Sequence, residues 1–360
     1  MIFGIWPGVA AADLVSLQPL DCPAEDTART LYALRQLQGT AREFYVRAYR
    51  HFGQGLRPRG TVVAVPARPG LYAGEGRMID LVACYQSPVP DPAGFAGFVR
   101  RAVREVAAGG GGKVQVGEEL NMPAPLDGGC PGAFEAIGAG VAAALDERDR
   151  HDAPVLVGVN SAGPTDPAFW NRLAGAIGPP NTRRLDYIGL DAFPDVFQPI
   201  PRENLPAAVA YLLRRFRTVT AEAGVPEATP IHVTETGWPT DDQRTESAQA
   251  EVLAAVAGAV IASDAGVQAC EWFGLRDGLT TAAWSARFGI LRDDYTPKPS
   301  FTTLQPSSPA GPREPDPAGQ TCRPGGSLRP RAFRPRTDLG RSARSRSRGA
   351  SPCATRREPR

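Results

Sequence analysis

Two carboxylates stand where the sequence implies that a strand ends. Residues 231–240 read Ile-His-Val-Thr-Glu-Thr-Gly-Trp-Pro-Thr, a short apolar run that delivers Glu235 and then turns at Gly237 and Pro239. About 115 residues earlier, Val-Gln-Val-Gly-Glu-Glu-Leu-Asn (114–121) is built alike: a glycine run (109–112), a brief apolar stretch, then Glu118 and Glu119. Distant acids of this kind suit cleavage of a glycosidic bond, in which one carboxyl protonates the leaving oxygen while the other attacks or supports the anomeric carbon.

Such acids need a scaffold that gathers strand ends. Eight short apolar runs occur at about 2–6, 43–49, 78–86, 113–119, 154–160, 185–192, 230–235 and 267–273. Between them lie amphipathic segments such as 92–107, 134–148, 205–223 and 247–263. This alternation predicts an α/β fold, a single-domain (β/α)8 TIM barrel over residues 1–304, whose functional face is the carboxyl end of the strands.

Strand alternation then sorts side chains between the helices and the barrel axis. In Phe44-Tyr-Val-Arg-Ala-Tyr49 it sends Tyr45, Arg47 and Tyr49 inward, and in Tyr187-Ile-Gly-Leu-Asp-Ala-Phe193 it sends Asp191 and Phe193 inward. With Val114 and Val116 facing out, Gln115, Gly117 and Glu119 face in, which favours Glu119 over Glu118. The rule fails at Glu235, which shares parity with the outward Ile231 and Val233; a bulge or an early strand end is needed there. Trp272, at the end of the last run, is placed to stack on the apolar face of a sugar ring, with a core position as its alternative.

The chain has 360 residues, 42% hydrophobic and 22% charged, enough for one large core. After residue 304 it turns to Pro, Arg, Ser and Gly, a composition expected to be disordered and one that a frameshifted reading of a GC-rich gene would produce. The segment 305–360 holds 13 Arg and four acids, a net +9, which leaves −7 of the whole-chain +2 for residues 1–304. A genuine tail of this charge would attract polyanions or a membrane surface.

Other chemistries lack their residues. Two lysines, Lys113 and Lys298, argue against a Schiff-base enzyme, and three dispersed histidines, His51, His151 and His232, against a histidine-built metal centre. The six cysteines form no Cys-x-x-Cys pair, and Cys84 and Cys270 read as buried thiols within strands. Gly-Val-Asn-Ser-Ala-Gly (158–163) is no nucleophile elbow, and the glycine run at 109–112 precedes a strand rather than the helix of a phosphate loop. No run of about 18 apolar residues is present to span a bilayer. The apolar start of the chain lacks a basic beginning and is broken by Pro7, so it reads as a first strand rather than an export signal. A cytoplasmic protein is expected on that basis, or a secreted one if the start codon is misassigned.

The pieces Gly-Glu-Glu-Leu-Asn (117–121), Thr-Glu-Thr-Gly-Trp-Pro-Thr (234–240), Trp-Phe-Gly-Leu-Arg-Asp (272–277) and Phe-Gly-Ile-Leu-Arg-Asp-Asp-Tyr-Thr-Pro-Lys-Pro-Ser-Phe (288–301) give the chain a family likeness. It resembles the large clan of (β/α)8 retaining glycoside hydrolases, which place an acid/base Glu after strand four and a nucleophile Glu after strand seven. The resemblance implies a β-glycosidase without cofactor or metal, acting on an oligo- or polysaccharide, with no nucleic-acid partner. Glu119 would be the acid/base and Glu235 the nucleophile, with their carboxyl groups about 5–5.5 Å apart. Arg47, Glu118, Asn121 and Trp272 would contact the substrate or support the nucleophile. Two departures stand out: Glu118 occupies the place of the clan's Asn that contacts the sugar 2-hydroxyl, and Phe193 that of a Tyr that often touches the nucleophile. They motivate a rival reading, a barrel that binds glycans without turnover. The last motif normally leads into a closing helix, and its loss would leave part of the barrel wall uncovered.

Overall fold

A computed structural model describes residues 1–306 except 14, 15, 17, 54–62, 65, 67, 125, 126, 164 and 165. The segment 305–360, expected to be disordered, lies outside the described residues from 307 on. Eight parallel strands close a barrel: β1 (Ile2–Trp6), β2 (Phe44–Phe52), β3 (Arg77–Tyr85), β4 (Gly112–Val116), β5 (Val155–Ala162), β6 (Tyr187–Asp191), β7 (Ile231–Thr236) and β8 (Val267–Phe273). Each pairs with the next, and β8 returns to β1 with Ile5 opposite Trp272 and Trp6 opposite Phe273. All eight coincide with the runs read from the sequence to within a few residues.

Helices α1 (Thr27–Gln38), α2 (Pro92–Ala108), α3 (Ala133–Arg148), α4 (Pro167–Ile177), α5 (Leu205–Glu222) and α6 (Glu246–Ile261) cover the outside. Their starts carry the expected chemistry: Asp26, Asp91, Asp166 and Thr245 accept from backbone N–H groups of the first turn. The helical alternation is incomplete between β2 and β3, where the described residues form a 3-10 turn, Pro69–Leu71, and a two-residue strand, Val63–Ala64, that pairs antiparallel with Val9–Ala10. After β8 the wall is closed by a five-residue helix, α7 (Pro299–Thr303), anchored by buried Phe301. A groove lined by Tyr32, Leu291, Tyr295 and Phe301 remains between this segment and α1.

The core forms two layers because the strands alternate. Phe44, Val46, Ala48, Ile188, Leu190, Val114 and Val116 join the apolar layer under the helices. Inside the barrel, by contrast, buried residues include Arg47, Asp80, Lys113, Gln115, Asn160, His232 and Glu271. Glycine makes room for this interior: a Cβ on Gly158 would lie 2.5 Å from the Tyr187 ring. Cys84 and Cys270 are buried thiols within strands, as expected. No helix among the described residues is long and apolar enough to cross a membrane.

Candidate active site

Arg47 organises the carboxyl end of the barrel. Its Nη1 donates to Asp80 Oδ2 at 2.7 Å and to Gln115 Oε1 at 3.2 Å, while Nη2 reaches Glu118 at 3.3 Å and Glu235 Oε1 at 3.2 Å. Its Nε donates to the Tyr49 hydroxyl at 2.9 Å. The Tyr49 hydroxyl in turn donates to Glu235 Oε1. Burial pushes the Tyr49 phenol well up, so it stays protonated and donates. The inward parity of β2 thus sends Arg47 and Tyr49 to the same acid.

Glu235 reaches that position through a β-bulge. Leu190 faces Val233 but Asp191 faces Glu235, so Thr234 is skipped in the β6–β7 ladder, and the β7–β8 register shifts in the same stretch. The extra residue lets both Thr234 and Glu235 point inward. Thr234 Oγ1 donates to Asp191 Oδ1 at 2.6 Å. The parity conflict seen in the sequence is resolved by the first of its two remedies.

After β4 the alternation argument between the two acids no longer applies, because the ladder ends at Val116. Gly117 takes φ +89° and Glu119 φ +34°, and both carboxyl groups then line the same cavity. Glu118 is buried and fully engaged, accepting from Arg47, from Asn160 Nδ2 at 3.4 Å and from Gln115 Nε2. Glu119 is only partly buried, and its backbone N–H donates to Asn160 Oδ1 at 3.0 Å. Burial pushes its carboxyl well above the carboxylate range, reinforced by the charges of Asp127, Asp191 and Glu235. Glu118 is likewise pushed up by burial, against the pull of Arg47. Asp191 is raised to about 8 by burial and by Glu235.

One oxygen each of Glu118, Asp191 and Glu235 lies within 4.8 Å of the other two, a spacing that could hold a divalent cation. Arg47 already supplies positive charge to two of the three. Below this trio, Lys113 bonds Glu271, lies 3.3 Å from Asp80, and sits over the rings of Tyr45 and Tyr187. Burial would raise Asp80, but Lys113 and Arg47 outweigh it and hold the carboxyl below its ordinary value.

Two of the expected substrate contacts, Trp272 and Asn121, lie outside the residues that line the cavity. Trp272 belongs to the apolar layer under the helices, 4% exposed, because β8 sends Cys270 and Trp272 outward and Glu271 and Phe273 inward. Phe273 lines the cavity in its place. Asn121 spends its amide on β5, donating to Ala162 O at 2.7 Å and accepting from Ala162 N at 3.0 Å. Asn160, in a segment without a catalytic motif, and Asp80, a lone acid of inward parity in an apolar strand, carry no signal in the sequence of their place in this cluster. Trp238 braces the turn after β7, donating to Asp195 Oδ2 at 3.1 Å.

The fold and this cleft define a (β/α)8 barrel with an acid cluster at the carboxyl ends of its strands. No family model and no curated protein matches the sequence. Solved structures do share the fold. A fungal β-1,4-galactanase superposes with a TM-score of 0.55 at 12% identity, over 84% of this chain and 98% of its own. A glucosidase from Croceicoccus marinus gives 0.56 at 17% identity, over 84% of this chain and 65% of its own. A family 17 β-1,3-glucanosyltransferase from Rhizomucor miehei gives 0.52 at 14% identity, over 84% and 97%.

Proposed function

We propose that the protein is a retaining β-glycosidase with Glu235 as nucleophile and Glu119 as acid/base. The observation that carries this reading is the contrast between the two acids in one cavity. Glu235 accepts from Arg47 and Tyr49, whereas Glu119 opens to the cavity with a raised proton affinity. Glu118 is the poorer acid because its oxygens are taken by Arg47, Asn160 and Gln115.

Glu119 protonates the departing oxygen while Glu235 attacks the anomeric carbon. Glu119, now ionised, then deprotonates the water that releases the glycosyl group from Glu235. Tyr49 offsets one departure from the clan, since it gives Glu235 the phenol that Phe193 lacks. The substrate is an oligosaccharide, polysaccharide or smaller β-glycoside.

Purified chain and its Glu235→Ala and Glu119→Ala variants should be assayed on aryl β-glycosides and β-glucans, with product anomers followed by NMR. Turnover with a β-configured first product, abolished in Glu235→Ala and strongly reduced in Glu119→Ala, is expected. A first product of α configuration would overturn retention. Glycan binding without turnover on any substrate would establish the rival reading of a binding barrel, which Glu118 and Phe193 motivate.

A further inference from the structure

The cavity above the acids has two unlike sides. It encloses about 460 Å³, the size of a small-molecule site. Its floor carries Glu118, Glu119, Asp191 and Glu235, whereas the flank formed by residues 193–212 is mainly apolar, with Phe193, Phe197, Ile200, Ala208 and Leu212 beside Asp195 and Gln198. Ala208 and Leu212 are four residues apart on α5, so they share the helix face turned to the cavity.

Aromatic rings run from the nucleophile to solvent. Tyr49, bonded to Glu235, meets Trp6 at 5.6 Å between ring centres; Trp6 stacks on Phe273 at 4.5 Å; Phe273 meets Phe193 at 5.7 Å; Phe193 meets Phe197 at 6.2 Å. Phe197 ends this series 67% exposed. The loop that presents it is pinned through Asp195, which accepts from Ile200 N at 2.8 Å and Trp238 Nε1 at 3.1 Å and pairs with Arg202 at 3.5 Å. Phe197 thereby extends the apolar lining of the cavity, shared with Phe193, Ile200 and Leu212, out to solvent.

Resting on the glycosidase reading, we infer that this flank receives an apolar aglycone, so that the preferred substrates are alkyl or aryl β-glycosides rather than glycan chains. A second sugar placed there would set most of its hydroxyl groups against Phe197, Ile200, Ala208 and Leu212, which offer no side-chain hydrogen bond, since Asp195 is already bonded to Ile200, Trp238 and Arg202 and Gln198 adds a single amide. A hydrocarbon aglycone loses nothing polar on entering and removes the same apolar surface from water.

The test compares hexyl with methyl β-D-glucoside and β-D-galactoside, since the two alcohols leave with nearly equal ease and kcat/KM then reports aglycone contacts. Hexyl glycosides are expected to be favoured by roughly tenfold or more, and Phe197→Ser and Leu212→Ser to bring the ratio toward one. Equal kcat/KM for hexyl and methyl glycosides, a ratio unchanged in both variants, or a β-linked disaccharide preferred over the hexyl glycoside would overturn the inference. Binding to the full-length Glu235→Gln chain by calorimetry separates this from failure of the glycosidase reading. If no glycoside turns over but hexyl glycoside binds more tightly than methyl, the hydrolase reading fails and the apolar subsite stands. Equal binding, or binding of neither, overturns the subsite.

Discussion

Arg47 Nη2 lies 3.2 Å from Glu235 Oε1, and the same guanidinium bonds Asp80 at 2.7 Å. A single buried cation thus positions the proposed nucleophile and neutralises the barrel interior beneath it. Arg47→Lys keeps the charge but loses the planar fork, so it cannot serve Tyr49, Asp80, Glu118 and Glu235 together. We expect kcat to fall by about 100-fold or more and stability by about 3–5 kcal/mol, as for a broken buried ion pair. Steady-state kinetics and urea denaturation would check both, and near-wild-type kcat would remove Arg47 from the mechanism.

Asp191 links stability to pH. Its carboxyl is raised to about 8 by burial and the charge of Glu235, so the folded chain keeps a proton that the unfolded chain releases above about pH 4. That contribution is fully present below the unfolded value and is lost as pH rises through about 8. Glu271, also about 8 through burial and Asp80, acts with the same sign. Tm should therefore fall between pH 6 and pH 9, and Asp191→Asn, which mimics the protonated form, should flatten part of that slope. A slope identical to wild type would contradict the assignment.

Lys113 and Glu271 are both fully buried and bonded to each other. Lys113→Met removes that bond and one of the two cations beside Asp80, and should cost about 1–3 kcal/mol. Adding Glu271→Leu should recover a substantial part, because Asp80 keeps Arg47. Denaturation of the single and double variants measures this, and no recovery would mean that packing rather than charge governs the layer.

Trp272 and Phe273 should separate stability from catalysis. Trp272→Ala, under the helices, is expected to lose about 3–5 kcal/mol while kcat/KM of the folded protein is unchanged. Phe273→Ala, in the cavity wall, should instead raise KM. A raised KM in Trp272→Ala would restore the stacking role expected from the sequence.

Gly117 turns the chain out of β4 at φ +89°, and a Cβ there would lie 2.7 Å from Ile137 Cδ1 and 2.8 Å from Leu120 Cδ1. Gly117→Ala should cost about 1–3 kcal/mol in strain. Because Glu118 and Glu119 follow directly, kcat should fall more than tenfold in protein that is still folded. Unchanged kcat would show that the two acids tolerate a shifted turn.

The sequence by itself determined the barrel and much of its interior. Eight apolar runs matched the strands, and the period of two placed Arg47, Tyr49 and Asp191 on the axis, because side-chain direction inside a regular ladder is a local property. In β8 the two parities, Val267, Ala269, Glu271 and Phe273 against Gln268, Cys270 and Trp272, each mix polar with apolar residues, so the period of two leaves Trp272 undecided and the folded barrel places it. The tertiary structure decided whatever lay at the end of a ladder or across it. The bulge that turns Glu235 inward is set by pairing with β6 and β8, and the paths of Glu118 and Glu119 by two positive-φ residues beyond β4. Asn160 bridges Glu118, Glu119 and Asp191 from β5, and Tyr49 meets Glu235 from 186 residues away. Periodicity carries no information about such contacts, because it ends with the ladder that imposes it and says nothing of which strand lies opposite.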